Sequence, residues 1–224
     1  LIDKKIEYLQ AVRKPFKVLN LDYRNYNWEP NKDRGSLGSH DGYADALESG
    51  INLLNRVNDA QLSQWIDSEI QVMFGMQQAN GIIEGWHGDG NFARTALMYG
   101  LWKTQGARVS PWNDQLRLGA STCEKGTYFV LSAQSDWEGQ LIFDQKRHKN
   151  ILNLPLDYPR INQFPEWFTL DPKAQYRIST SQKNLSTYLI GEQLMEGIAL
   201  KLSKGETLKI FLEKTPAQEK RGIT

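Results

Sequence analysis

Cysteine is almost missing from this chain. Cys123 is the single one in 224 residues, so neither an intrachain disulfide framework nor a cysteine-based zinc site is available. Charge of one sign is lacking as well. The 27 Lys and Arg against 26 Asp and Glu leave a formal net charge of +1, which gives no global field toward nucleic acid or an anionic membrane. Long apolar runs are absent too: none reaches the roughly 18 residues that a membrane-spanning helix needs. The first residues, Leu1-Ile2-Asp3-Lys4-Lys5, hold no Met and no signal-peptide core, and the chain reads as processed, truncated or cut from something longer. Gly-x-Ser-x-Gly does not occur, so a Ser/His/Asp hydrolase has no support. No glycine-rich phosphate loop or dinucleotide fingerprint occurs either, because Gly85, Gly88 and Gly90 do not follow a strand of a βαβ unit.

What is present is apolar and aromatic. The chain is 40% hydrophobic and carries 7 Trp, 9 Tyr and 8 Phe, too rich a composition for disorder. Its length suffices for one large core or two small ones.

Residues 1–106 read mainly as helix. Ile2, Ile6 and Leu9 mark a first amphipathic face, which Pro15 is expected to stop. From Phe16 to His40 no steady period holds, and Asn27-Trp28-Glu29-Pro30 and Arg34-Gly35-Ser36-Leu37-Gly38 are loop signals. A second helix is predicted over about 41–56 with Tyr43, Leu47, Ile51 and Leu54 inward. After the cap Asn58-Asp59, a third has Leu62, Trp65, Ile66, Ile70 and Met73 as its stripe. The short break between them predicts an αα-hairpin. A fourth helix, about 91–105, is apolar over most of its circumference, and Gly106 suits its C′ position.

From Arg108 the period becomes two. Leu116, Leu118 and Ala120 alternate with polar residues. Tyr128–Leu131 and Leu141–Phe143 flank the turn at Asp136–Gly139. Ile198, Leu200 and Leu202 precede Lys204-Gly205-Glu206, after which Leu208, Ile210 and Leu212 complete a hairpin pattern. About eight short strands predict an antiparallel β-sandwich over 107–224. The stretch 152–172, with four prolines among Tyr158, Phe164, Trp167 and Phe168, reads as a long loop folded back on the helical half. In the basic run Lys146-Arg147-His148-Lys149, His148 reads as part of a solvated strand edge.

Two segments could carry chemistry. In Ser39–Glu48, helical spacing puts Asp41, Asp45 and Glu48 on one face, with Asn52 extending the stripe and His40 and Tyr43 nearby. Clustered carboxylates raise one another's pKa, which suits a general acid near neutral pH, although an acidic first turn also simply favours the helix dipole. In Glu84-Gly85-Trp86-His87-Gly88-Asp89-Gly90-Asn91, two acids, an imidazole and three glycines stand before a buried helix, where backbone can approach a ligand and Trp86 can stack on a sugar ring. The competing reading is a glycine turn with Asp89 or Asn91 as an N-cap. The pair His87-x-Asp89 is too short for a metal site, and neither metal nor cofactor is expected. Arg94 sits on the first turn of the fourth helix, where the dipole disfavours a cation. It therefore calls for an acidic partner, with Asp45, Glu84 and Asp89 the nearest choices.

Residues 39–56 (SHDGYADALESGINLLNR) and 80–106 (NGIIEGWHGDGNFARTALMYGLWKTQG), followed by the β half, resemble the C-terminal part of (α/α) toroid carbohydrate-active proteins, either six-hairpin glycosidases or toroid polysaccharide lyases. The resemblance implies an α+β, two-domain chain, a partial α/α toroid over 1–106 and a β-sandwich over 107–224. As a glycosidase it implies paired carboxylates, Asp45 or Asp41 with Glu84 or Asp89, alongside His87. As a lyase it implies Tyr43, His40 or His87 as the base and Arg94 on a uronate carboxylate. His40, Asp41, Tyr43, Glu48, Trp86 and Arg94 would bind the oligo- or polysaccharide. Four helices are too few to close a ring, so helices from a missing part of the same protein or from another chain are expected as partners, but no nucleic acid and no membrane. Carboxylates outnumber basic groups at both segments, which favours hydrolase over lyase. A non-catalytic carbohydrate-binding module with Trp28, Trp86, Trp112 and Trp167 as platform is the reading from a different class. The family analogy implies a periplasmic or secreted location.

Overall fold

The computed structural model describes residues 6–22, 40–83, 90–154, 164–181 and 186–215, and the side chains of all of these except His40 and Asp41. Among the described residues the chain is α+β. Its elements are α1 (Ile6–Asp22), α2 (His40–Leu54), α3 (Ala60–Gly75), α4 (Asn91–Thr104), β1 (Arg108–Ser110), β2 (Leu116–Cys123), β3 (Gly126–Ala133), β4 (Trp137–Ile142), α5 (Arg147–Asn150), β5 (Gln175–Thr180), β6 (Ser186–Ile190), α6 (Gly191–Met195), β7 (Ile198–Leu202) and β8 (Thr207–Lys214). The described residues divide into two compact units. One runs to Gly100 and includes 164–165; the other starts at Leu101 and holds every strand.

In the first unit, α2 and α3 turn back on each other through the link 55–59. Gly50 lets them close: a Cβ there would lie 3.0 Å from Ile66 Cδ1 and 3.2 Å from Leu62 Cδ1. Asp59 caps α3 as its spacing predicts, accepting from the Leu62 amide at 3.1 Å. The same carboxylate holds Arg13 of α1 at 3.0 Å. The buried stripe of α3 is Leu62, Trp65, Ile66, Glu69, Ile70 and Met73, so a carboxylate interrupts the apolar pattern.

Pro15 does not end α1. The helix continues to Asp22 with the proline inside it. A proline interior to a helix leaves the carbonyl four residues back without its donor and costs about 3 kcal/mol. Tertiary contacts offset that cost, since Phe16 packs on Trp65 at 6.0 Å between ring centroids and Arg13 is tied to Asp59. Residues 16–22 of the expected loop are therefore helical, and Tyr23, Tyr26 and Trp28 lie outside the described residues.

In the second unit, two antiparallel sheets have strand orders β1-β4-β7 and β2-β3-β8-β5-β6. Phe129, Leu131, Leu141, Leu202, Leu208, Ile210 and Leu212 come from both sheets into one core. Phe129, Phe143 and Phe168 pack there edge to face at 5.2, 5.6 and 5.9 Å. β2, β3, β4, β7 and β8 fall on the period-two segments, although Trp137–Gly139, expected within a turn, pair as part of β4, and the hairpin expected at Lys204–Glu206 does not form. β3 and β4, and likewise β7 and β8, are consecutive in sequence yet lie in different sheets. Each short, largely exposed link carries the chain from one sheet to the other, and Gly205 enables the second crossing at φ 81°. Alternation fixes which residues face inward; it does not fix which strand is the neighbour.

His148 is not on a solvated edge. It is buried in α5, where its amide donates to Glu166 Oε1 at 2.6 Å and its ring Nδ1 lies 3.0 Å from the same oxygen. Beside it, Asp144 takes both Nε and Nη2 of Arg147 at 3.1 Å and the Trp167 amide at 3.0 Å. The remainder of the predicted 152–172 loop, residues 155–163, lies outside the described residues.

The end of α4 is a Schellman motif shifted by one residue from the sequence expectation. The Gly106 amide donates to Leu101 at 2.8 Å and the Gln105 amide to Trp102 at 3.1 Å, so Gln105 is C′ and Gly106 is C″. Both are left-handed, with φ of 51° and 73°. Gln105 tolerates this because its side chain is fixed at both ends, donating to the Trp102 carbonyl at 2.8 Å and accepting from Thr122 Oγ1 at 2.8 Å. A Cβ at Gly106 would overlap the Asp144 side chain. Gly106→Ala thus combines a left-handed backbone penalty with overpacking, and is expected to lower stability by about 2–4 kcal/mol in urea unfolding.

Candidate functional site

The first predicted segment lies on α2, and its face meets the start of α4. Asp45 and Glu48 are three residues apart, hence on one side of the helix. Arg94, on the first turn of α4, reaches both. Its Nε lies 2.6 Å from Glu48 Oε1 and its Nη2 3.2 Å from Asp45 Oδ1. Thr95, fully buried, donates its hydroxyl to the same Glu48 oxygen at 3.1 Å. The cation that the helix dipole disfavours is thus held by two carboxylates, one of them the Asp45 expected from sequence.

The two carboxylates differ in environment. Glu48 is buried and receives two donors, whereas the Asp45 side chain is 67% exposed. Two carboxylates and one guanidinium leave this trio one negative charge in excess. Glu48 therefore anchors the arginine, and the arginine in turn positions Asp45 at the surface. Asn52 continues the stripe but turns to the backbone, its Nδ2 donating to the Glu48 carbonyl at 3.1 Å.

Tyr43 is buried and faces away from this trio. It lines a cavity of about 510 Å³ with Pro15, Val18 and Leu19 of α1 and Gly42 and Ala46 of α2. His40 and Asp41 belong to the first turn of α2; their side chains lie outside the described residues, as do Glu84, Trp86, His87 and Asp89 of the second segment. The structure therefore brings Asp45, Glu48 and Arg94 together. Among the described residues, no group of three or more His, Cys, Asp or Glu is placed to hold a metal ion, and no helix is long and apolar enough to cross a membrane.

Sequence reasoning passed over Thr95, Glu69 and the pair Asp67–Tyr99. For Thr95 and Glu69 a signal existed. Thr95 sits three residues from both Phe92 and Met98, the buried positions of α4, and Glu69 falls within the buried stripe of α3. A polar residue at a core position needs a partner. Conversely, Leu97, on the helix expected to be apolar over most of its circumference, is 52% exposed.

Tyr99 donates to Asp67 Oδ1 at 2.9 Å and packs edge-on against Phe74 at 6.3 Å. Partial burial, then the hydrogen bond and charge of Asp67, push its phenol well above the ordinary value, so Tyr99 stays protonated where a free tyrosine ionises. It acts as a donor here, not as a base. The linkage sign follows: a group that holds its proton longer when folded adds stability that is complete below the unfolded pKa and lost above it. Unfolding free energy is expected to fall as pH rises beyond about 10, and Tyr99→Phe should make that alkaline slope shallower in denaturant titrations run from pH 8 to 11.

Against known proteins, no family model matches this chain, and neither a curated protein nor a solved structure matches it.

Proposed function

We propose that this chain belongs to a carbohydrate-active protein, glycoside hydrolase-like, in which helical hairpins of a partial α/α toroid carry paired carboxylates and a two-domain arrangement adds a β-sandwich. The observation that carries the reading is the double grip of Arg94 on buried Glu48 and exposed Asp45. An anchored cation that holds one exposed carboxylate in place gives it the fixed position from which a catalytic carboxylate works. Asp45 serves as one member of the pair; Glu84 or Asp89 serves as the other, with His87 beside them. One acts as acid, the other as base or nucleophile, and their separation sets the stereochemical outcome. His40, Asp41 and Trp86 contribute to the sugar subsites, whereas Tyr43, buried and turned away from the trio, does not.

Arg94 also bears on the choice between hydrolysis and elimination. In a lyase it would neutralise a uronate carboxylate, but its guanidinium is already engaged by two carboxylates of this chain. That supports hydrolysis. On this reading the partner is an oligo- or polysaccharide, further helices of the same protein or another chain complete the array, and the protein acts outside the cytoplasm.

The test is an activity screen on neutral glycans and uronate polymers, using the longest natural polypeptide that contains this sequence, with Asp45→Asn and Glu84→Gln as variants. Asp45→Asn should lower turnover by about 10²–10⁴-fold while the protein stays folded. Full activity in both variants overturns the assignment. An ultraviolet-absorbing unsaturated uronate as product overturns hydrolysis in favour of elimination.

A further inference from the structure

The five-stranded sheet has an outward face that the core does not use. Its register is fixed by the strand pairs. Phe129, Leu131, Ile210 and Leu212 point into the core, so the alternate positions point out. At the centre of that outward face Tyr128 of β3 stands opposite Phe211 of β8, with ring centroids 4.3 Å apart and planes 31° from parallel. The two rings form a ridge. Phe211 covers one face of Tyr128, and the other face looks over β2, leaving Tyr128 49% exposed.

On β2 the outward neighbours of Val130 and Tyr128 are Gly119 and Ser121. A Cβ built at Gly119 meets nothing within 4 Å. The free face of Tyr128 therefore borders an open trough floored by backbone and one hydroxyl. A strand glycine with space above it admits a close-approaching ligand. Beyond Phe211 the pattern repeats, since Ser179 and Ser186 are the outward residues next in line, their hydroxyls 3.3 Å apart.

The charges on this face are unbalanced. Arg177 is compensated by Glu213, its Nε 3.0 Å from the carboxylate. Arg117, two residues from Gly119 on β2, and Lys209, opposite Val130, are both exposed, and no outward carboxylate is paired across from either. Among the described residues, two net positive charges thus border an aromatic ridge and hydroxyl-floored troughs. A pyranose offers an apolar C–H face to a ring and hydroxyls to serines, and a uronate adds an anion for Arg117 and Lys209.

We propose that this sheet face is a binding surface for an acidic polysaccharide, with a uronate sugar ring lying in the trough over Gly119 and Ser121 against Tyr128. The proposal concerns the strand-bearing unit alone and does not depend on the role given to Asp45.

The test uses the full chain in affinity electrophoresis and calorimetry with polygalacturonate and alginate as anionic probes and hydroxyethylcellulose as the neutral one. Three variants separate the contributions. Gly119→Leu fills the trough at a position with room for a side chain, so melting should be unchanged while affinity falls about tenfold, the scale expected when roughly 50 Å² of apolar surface is no longer covered by the sugar. Tyr128→Ala should weaken binding comparably, and Lys209→Glu should weaken it most at low salt, as screening requires. Normal binding by a folded Gly119→Leu overturns the proposal, as does a preference for the neutral polymer or the absence of binding to all three. Concentration-dependent dimerisation abolished by Tyr128→Ala also overturns it, because a second copy would then occupy the face.

Discussion

An arginine at the start of a helix sits against the helix dipole. Among the described residues, Arg94 is held there by the two carboxylates that α2 presents to it, and buried Glu48 is itself tolerable because Arg94 and Thr95 donate to it. Neither charge would be stable alone. The mutual dependence joins α2 to α4 and fixes where Asp45 emerges. It also explains how a like-charge pair three residues apart on one helix, mildly repulsive in isolation, is kept: the guanidinium between them reverses the sign of the interaction.

The second unit rests on a different kind of constraint. Most of its strands are joined by links that cross between sheets, so sequence neighbours such as β3 and β4 lie in opposite sheets instead of pairing, while β2–β3 and β5–β6 pair directly. That arrangement places Phe129 and Leu141 in one apolar interior with Phe168 from the later irregular segment. The C-terminal end of α4 is secured there by chemistry of its own: two consecutive left-handed residues, the doubly bonded Gln105 amide, and Gly106 close against Asp144. Asp144 in turn binds Arg147 and the Trp167 backbone, so one carboxylate locks a helix end, a short helix and a loop.

Much of this was legible in the sequence because it follows from period. The buried stripe of α3, its Asp59 cap, the switch to strands near Arg108 and the shared face of Asp45 and Glu48 need only spacing. Arg94 is instructive, since a cation in a first turn announces an acidic partner even though spacing cannot say which. What could not be read depends on tertiary contacts. Pro15 is carried inside α1 by anchors from α3 and its cap, and His148 is buried because Glu166, distant in sequence, comes to meet it. Strand partnership depends on which sheet each link leads to, which alternation leaves open. The trough beside Tyr128 becomes visible only once register sets Gly119 and Ser121 next to that ring.

The interdependence of Glu48 and Arg94 is open to a direct measurement. A double-mutant cycle with Glu48→Gln and Arg94→Met, read as unfolding free energies in urea, isolates it. If each charge is stable only with the other, the two single changes cost far more in sum than the double change does, with a coupling energy of about 2 kcal/mol or more, as for charges that share a partly buried site. Additivity within about 0.5 kcal/mol would contradict that dependence, because Arg94 would then be one more surface charge and the position of Asp45 would owe nothing to it.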